Sequence, residues 1–288
     1  SAPWIVTWDD HEVDNNYASE IPEDDQTPDQ LLLRRAAAYQ AYYEFMPIRL
    51  PVGRQGPAMP IHRRLRFGRL MEMNVLDTRQ YRSDQACGDG RQPRCTEHLD
   101  SNRSLLGSAQ KNWLYDSLAS ADSTWNVLAQ QIMMASLRSA DNEGNELWPM
   151  DIWDGYPFER QELLDHLQTV ATPNPVVLTG DIHSNWAADL KLDFDNEASP
   201  TIGAEFVCTS ITSGGDGQDM TDYGQALLNN NPHVKFYNAQ RGYVACTLTP
   251  AQWRSDYKVL PRVTEADAPI SIRASYMTEA GRPGVQEA

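Results

Sequence analysis

Two short segments of this 288-residue chain set Asp close to His: Trp8-Asp9-Asp10-His11-Glu12 and Gly180-Asp181-Ile182-His183-Ser184-Asn185. Carboxylates suit hard cations such as calcium and ferric iron, and imidazole suits iron and zinc. A His beside a metal ligand can also protonate a leaving oxygen or hold a phosphate oxygen. Asp181 and His183 are separated by one residue, so in extended backbone they point the same way and reach one ion. Each segment follows an apolar, β-prone run, Trp4 to Trp8 in the first case and Val176 to Thr179 in the second. A buried strand that stops and at once presents Asp and His sets ligands at the carboxyl edge of a sheet. That edge is where α/β folds collect their catalytic groups. Two such edges, converging, make a metal-dependent hydrolytic centre. Taken singly, each segment also fits a plainer role, an acidic surface turn or a hydrogen-bonded strand end.

Other residues carry weaker signals. Arg79 and Arg82 follow a further strand end, and arginine suits bidentate phosphate recognition. Salt bridging within a very acidic surface explains them equally. Trp153-Asp154-Gly155-Tyr156 is an aromatic wall or a packing corner. His233 reads as a strand-start histidine bonded to backbone, and His62, His98 and His166 receive no role.

The elements that must position these groups alternate over the first two thirds of the chain. An acidic loop, 14–27, ends at Thr27-Pro28-Asp29-Gln30, where Thr as N-cap, Pro at N1 and Gln at N3 start a helix. That helix carries a stripe of Leu32, Ala36, Tyr39, Tyr43 and Met46 and stops at Pro47. A basic loop follows, with Arg54, His62, Arg63, Arg64 and Arg66. Strands are expected at 69–76, 125–134 (with Gln130 and Gln131 inside) and 176–179, and helices at 108–119 and 159–170. The alternation predicts an α/β sheet. Beyond Ala187 the pattern turns towards β. Val234–Tyr237 and Tyr243–Leu248 read as a hairpin, with strands at 255–263 and 270–276 and a loose tail over 277–288.

Formal net charge is −16, which repels nucleic acid and anionic membranes at long range and argues against a nucleic-acid partner. No apolar run reaches membrane-spanning length, so no membrane span is expected. Four cysteines form no Cys-x-x-Cys pair, and two local disulfides, 87–95 and 208–246, are expected in preference to four reduced thiols. Such pairing fits a secreted or periplasmic protein. Ser1 leads straight into the first apolar run, so any export signal is expected to have been removed already.

With these segments in view, the chain resembles the PhoD-type alkaline phosphatase family within the calcineurin-like metallophosphoesterases. The resemblance rests on Trp8 to Tyr17, Arg34 to Tyr43, Val75 to Arg82, Trp153 to Tyr156, Gly180 to Trp186, Thr209 to Ser213 and Arg241 to Tyr243. It implies a four-layer α/β/β/α metallophosphoesterase sandwich with iron and calcium at the sheet edges, and hydrolysis of phosphate esters; other divalent metals would also suit. It places Asp10 and His11 where the superfamily has a ligand and its neighbouring catalytic His, and Asp181 and His183 where it has two ligands. Gln131 falls near the metals. The Cys87–Cys95 loop also occurs in relatives. The resemblance further implies earlier ligands, including an Asp that bridges the metals and a Cys and Tyr on iron. Residues 1–276 are therefore expected to be the C-terminal portion of a metallophosphatase domain. Its N-terminal part is then missing from this chain, and an N-terminal fragment of the same precursor would complete the site.

The mechanism this implies is in-line attack on phosphorus by a metal-bound hydroxide, with Asp10, Asp181 and His183 as ligands from this chain. His11 binds the phosphate or protonates the leaving alkoxide, and Arg79 clamps the phosphate. Two rivals remain: a phospholipase D-like phosphodiesterase, since such relatives share the motifs, and a non-catalytic calcium-stabilised surface protein.

Overall fold

The computed structural model describes residues 2–23, 25–48 and 56–288. Arg54 of the expected basic loop and Asp24 of the acidic loop lie outside them. In chain order the elements are α1 (Pro28–Phe45), β1 (Arg63–Phe67), β2 (Met71–Val75), β3 (Arg91–Gln92), α2 (Gly107–Ala119), β4 (Trp125–Ala129), β5 (Ser139–Ala140) and β6 (Glu146–Pro149). Then come α3 (Pro157–Thr169), β7 (Pro175–Thr179), β8 (Asn185–Lys191), β9 (Thr201–Val207), α4 (Asp222–Asn230), β10 (Val234–Asn238), β11 (Arg241–Leu248), β12 (Gln252–Leu260), β13 (Ser271–Glu279) and β14 (Arg282–Glu287).

A seven-stranded sheet runs β1-β2-β4-β7-β9-β8-β10. Its centre, β2, β4, β7 and β9, is parallel. The carboxyl ends of these strands therefore open on one edge. One face buries Leu128, Val177, Val207 and Trp186 against Leu114 and Leu118 of α2 and Leu163, Leu164 and Leu167 of α3. The other face sets Trp125, Val127, Val176, Ala204 and Phe206 against Trp253 and Tyr257 of a four-stranded antiparallel sheet, β11-β12-β13-β14. Along β12 buried Trp253, Ser255, Tyr257 and Val259 alternate with less covered residues, the period-two signature of a sheet packed on one face. Among the described residues the order is thus helix, sheet, sheet, and no described helix covers the outer face of the smaller sheet. A separate cluster of Trp8, Val13, Tyr17, Leu31, Tyr39, Met59 and Ile61 fastens the N-terminal segment to α1, with Trp8 stacked on Tyr39 at a centroid distance of 4.0 Å.

Several expectations need correction. Residues 277–288 are no loose tail: β13 continues to Glu279, and β14 closes the small sheet with Thr278 and Val285 tied by Gly284 and Asp189. Their Gly, Pro and Glu content suggested a solvated end, but their ladder partners lie next to them in the small sheet. Residues 234–237 and 243–248 form no hairpin. β10 pairs with β8 in the large sheet and β11 with β12 in the small one, so the chain crosses between sheets at 239–240. Gly242 permits this crossing, since a Cβ there would stand 2.0 Å from the Lys258 carbonyl oxygen. Trp4 to Trp8 joins no ladder; side chains satisfy its backbone instead, with Arg63 donating to the Val6 carbonyl and Gln131 to that of Trp8. The buried face of α1 is Leu31, Arg35 and Tyr39: Tyr39 was expected, but Leu31 and Arg35 replace Leu32 and Ala36, because Arg35 turns inward to donate to the Pro57 and Ser19 carbonyls. α1 itself starts as expected, with Thr27 and Gln30 closing a reciprocal cap. Cys87 and Cys95 are bonded; Cys208, just past the end of β9, and Cys246, on β11, are free thiols, the latter 3.6 Å from Ser255 Oγ.

Candidate metal centre

Three strand ends and the N-terminal segment meet at the carboxyl edge of the large sheet, and one side chain joins them. Gln131, just past β4, accepts from Thr78 N and Oγ1 at 3.1 and 2.8 Å and donates to the Leu76 and Trp8 carbonyls at 2.9 Å each. Its own carbonyl takes the N–H of Gly180 after β7. A buried amide with every group bonded fixes four backbones relative to one another.

Each segment then turns to present a carboxylate. Asp10 accepts main-chain N–H groups from His11 at 2.8 Å and Asn16 at 3.0 Å, so its side chain is set by its own turn. Asp9 lies next to it, its N–H on the Glu12 carboxylate. After β7 the chain enters left-handed backbone at Asp181 (φ 64°) and again at His183 (φ 53°). The strain at His183 is held by Arg241 and Thr209, which donate to its carbonyl at 2.7 and 3.1 Å. Asp9, Asp10 and Asp181 each bring a carboxylate oxygen within 4.8 Å of the other two.

Fully buried Arg79 lies among them. It donates to Asp9 at 2.6 Å and Asp181 at 3.1 Å, stands 3.8 Å from Asp10, and meets both oxygens of Asp151 at 3.0 Å. Asp151 is braced in turn by Arg82 and Gln85, each at 2.8 Å. Four carboxylates thus face two guanidiniums, a formal surplus of two negative charges when all four are ionised. The two ends of the group respond differently. Burial pushes Asp151 up, but Arg79 and Arg82 outweigh it and hold its carboxyl well below the usual range. Burial and then the neighbouring Asp9 charge push Asp181 well up, against only partial relief from Arg79.

Of the residues expected from sequence, Asp10, Asp181 and Arg79 meet. His183 does not join the carboxylate group: the positive φ angles break the extended geometry that would have aimed it alongside Asp181, and it is exposed. His11 is exposed at the mouth of the first turn. Arg79 is the hub of the ion pairs, and its donors are occupied by Asp9, Asp151 and Asp181 rather than open to a phosphate. Asp9 and Asp151 were not singled out. Asp9 stood inside the first motif; Asp151 showed only as one acid in an aromatic stretch.

The sequence pattern of the PhoD-like phosphatase family matches residues 1–257. The chain belongs to the PhoD-like phosphatase family. Alkaline phosphatase D of Bacillus subtilis (strain 168) is 49% identical over 285 residues, which are 99% of this chain and 49% of that protein. A solved structure described as "Structure of PhoD" superposes with a TM-score of 0.95 at 49% identity, covering 99% of this chain and 55% of that one. The chain spans about half the length of these PhoD relatives. The donor set of this PhoD-like chain fits a hard cation: all three grouped ligand candidates are carboxylates, and their charge exceeds that of the arginines beside them.

Proposed function

We propose that this chain contributes the carboxylate half of a metal-dependent phosphoester hydrolase. The observation that carries this reading is the convergence of Asp9, Asp10 and Asp181 at one sheet edge with negative charge to spare. The relatives' descriptions as phosphatases support it. Asp9, Asp10 and Asp181 would hold the cation, which when bound would acidify a water and offset charge developing on the phosphoryl oxygens. Asp151, Arg82 and Gln85 hold Arg79 from below, so the arginine sets the spacing of the carboxylates. His11 stands exposed beside the ligand Asp10, placed to meet a phosphate or give a proton to the leaving alcohol.

Calcium matches the oxygen donors. Iron together with calcium requires further ligands, and no nitrogen or thiolate belongs to the described group. We therefore assign those ligands to an N-terminal segment of the same precursor. The Cys87–Cys95 disulfide supports a secreted or periplasmic setting.

The test is elemental analysis of the natural full-length protein together with hydrolysis of p-nitrophenyl phosphate, bis-p-nitrophenyl phosphate and phosphatidylcholine, before and after chelation. Hydrolysis lost to chelator and restored by calcium and iron is expected. Bound calcium with no hydrolysis of any ester would return the protein to the scaffold reading, and preference for phosphatidylcholine would make it a phospholipase.

A further inference from the structure

Immediately beyond Asp181 the chain enters the wall of an open cavity of about 470 Å³. Ile182, His183, Gln218, Thr221, Tyr223 and Tyr237 line it. Ile182 of its wall directly follows Asp181 of the carboxylate group in the chain, yet the cavity's chemistry is the reverse. No carboxylate lines it. Arg241, its one guanidinium, is spent on the carbonyls of His183, Gly214, Gly215 and Ala239. The wall is built with care: Thr221 caps α4 by accepting from Gly224 N at 2.8 Å and meets the Tyr237 hydroxyl at 2.8 Å. Gly224 is required there, since a Cβ would stand 2.0 Å from the Tyr237 ring. Tyr223 lies under the Arg91 guanidinium, 5.0 Å from its ring centroid, and donors on that side are thereby taken. The exposed part of the lining is the Tyr223 ring, Gln218 and His183, with half-buried Ile182 beside them, while Tyr237 forms the floor, nearly all of it packed in the core against Trp186.

A phosphate ester has an anionic end and an organic end. The carboxylate group, once it holds cations, suits the first. We infer that the cavity takes the second: an uncharged, ring-bearing alcohol group of the ester, laid against Tyr223 and bonded by Gln218. This rests on the hydrolase reading above. It makes the enzyme discriminate among esters by the flat surface and neutrality of the alcohol, because a charged group would find no partner and a small one no contact.

The experiment compares 1-naphthyl phosphate with methyl phosphate on the natural full-length protein, wild type, Gln218→Trp (which fills the cavity) and Tyr223→Ala (which removes a wall). A parallel arm measures calorimetric binding of 1-naphthylphosphonate and methylphosphonate. Wild type is expected to prefer the naphthyl ester, and each variant to cut the naphthyl-to-methyl ratio of kcat/KM by roughly tenfold, chiefly through KM. If Gln218→Trp fails to fold, Tyr223→Ala decides. Equal effects on both esters, or no preference in wild type, overturn the inference. If no ester is hydrolysed but naphthylphosphonate binds in a Tyr223-dependent way, the cavity assignment stands and the hydrolase reading falls.

Discussion

Carboxylates around the large sheet serve this molecule in two ways. Under the sheet, Glu205 accepts main-chain N–H groups from Met134 and Ala135 at 2.8 and 2.7 Å and the Thr179 hydroxyl at 2.7 Å. Asp154 takes Leu137 N and Ser136 Oγ at 2.8 Å and Arg160 at 2.7 Å, and Glu159 takes the N–H groups of Leu105 and Leu106. Each of these acids is surrounded by donors and ties a loop to the core. At the carboxyl edge of the same sheet, Asp9, Asp10 and Asp181 face one another, and shared Arg79 is their only nearby cation among the described residues. The difference lies in what surrounds the acids and in their depth: Asp9 and Asp181 keep 22% and 20% of their side chains exposed, whereas Glu205, Asp154 and Glu159 are fully buried. Donors converging on an acid spend its charge on structure, whereas acids converging on acids keep charge available for something that binds.

That contrast can be broken, beginning with the largest effects. Asp181→Asn should lower ester hydrolysis roughly 10²-fold or more in the full-length protein. In chelator it should leave the urea midpoint unchanged or raised, because it relieves crowding. A large drop in that midpoint would mean the edge is built like the interior. His11→Ala should slow turnover by roughly 10²-fold with no change in melting temperature, since the side chain is exposed; unaltered turnover would remove it from the chemistry. Calcium at a hundred times its Kd should stabilise wild type by about 2.7 kcal/mol and Asp181→Asn far less, read as thermal shifts with and without chelator. Glu205→Gln should do the opposite of Asp181→Asn. Turning an amide N–H₂ towards N–H donors costs about 1–3 kcal/mol in denaturant titrations while per-molecule turnover in the folded protein holds.

The smallest effect extends the contrast to a base. Burial lowers His233 to about 4, although its ring keeps the Ser136 carbonyl at 2.8 Å. Below its ordinary value of 6.5 the unfolded chain binds the proton more readily than the folded one, so stability is full above that pH and is lost as pH falls towards about 4. A loss of about 1–2 kcal/mol by pH 5 is expected, and His233→Gln should flatten it.

Much of this was legible in the letters. The Thr27 cap, the helices at 107–119 and 157–169 and the parallel strands declared themselves through capping chemistry and periodicity, which are local. His233 was read as backbone-bonded and is. The motif at Asp181 pointed to the carboxyl edge because it follows a strand end, as expected; the first motif reaches the same edge without a strand before it, held there by Gln131 on the Trp8 carbonyl. The misses were non-local. Whether 234–237 and 243–248 pair with each other depends on which sheet each joins, and hydrophobic alternation is the same in either. Whether 282–287 is tail or strand depends on a neighbour already being present.

By itself, then, the sequence determined which residues had the chemistry for a cation and the α/β frame that carries them, because both follow from residue type and short-range pattern. Only the tertiary structure decided which acids meet. It brought in Asp9 and Asp151, left His183 at the rim, and turned Arg79 from an open phosphate donor into a buried hub. The reason is that charge acts through space. A cluster of carboxylates outnumbering its arginines arises only when segments far apart in the chain are folded to within a few ångströms.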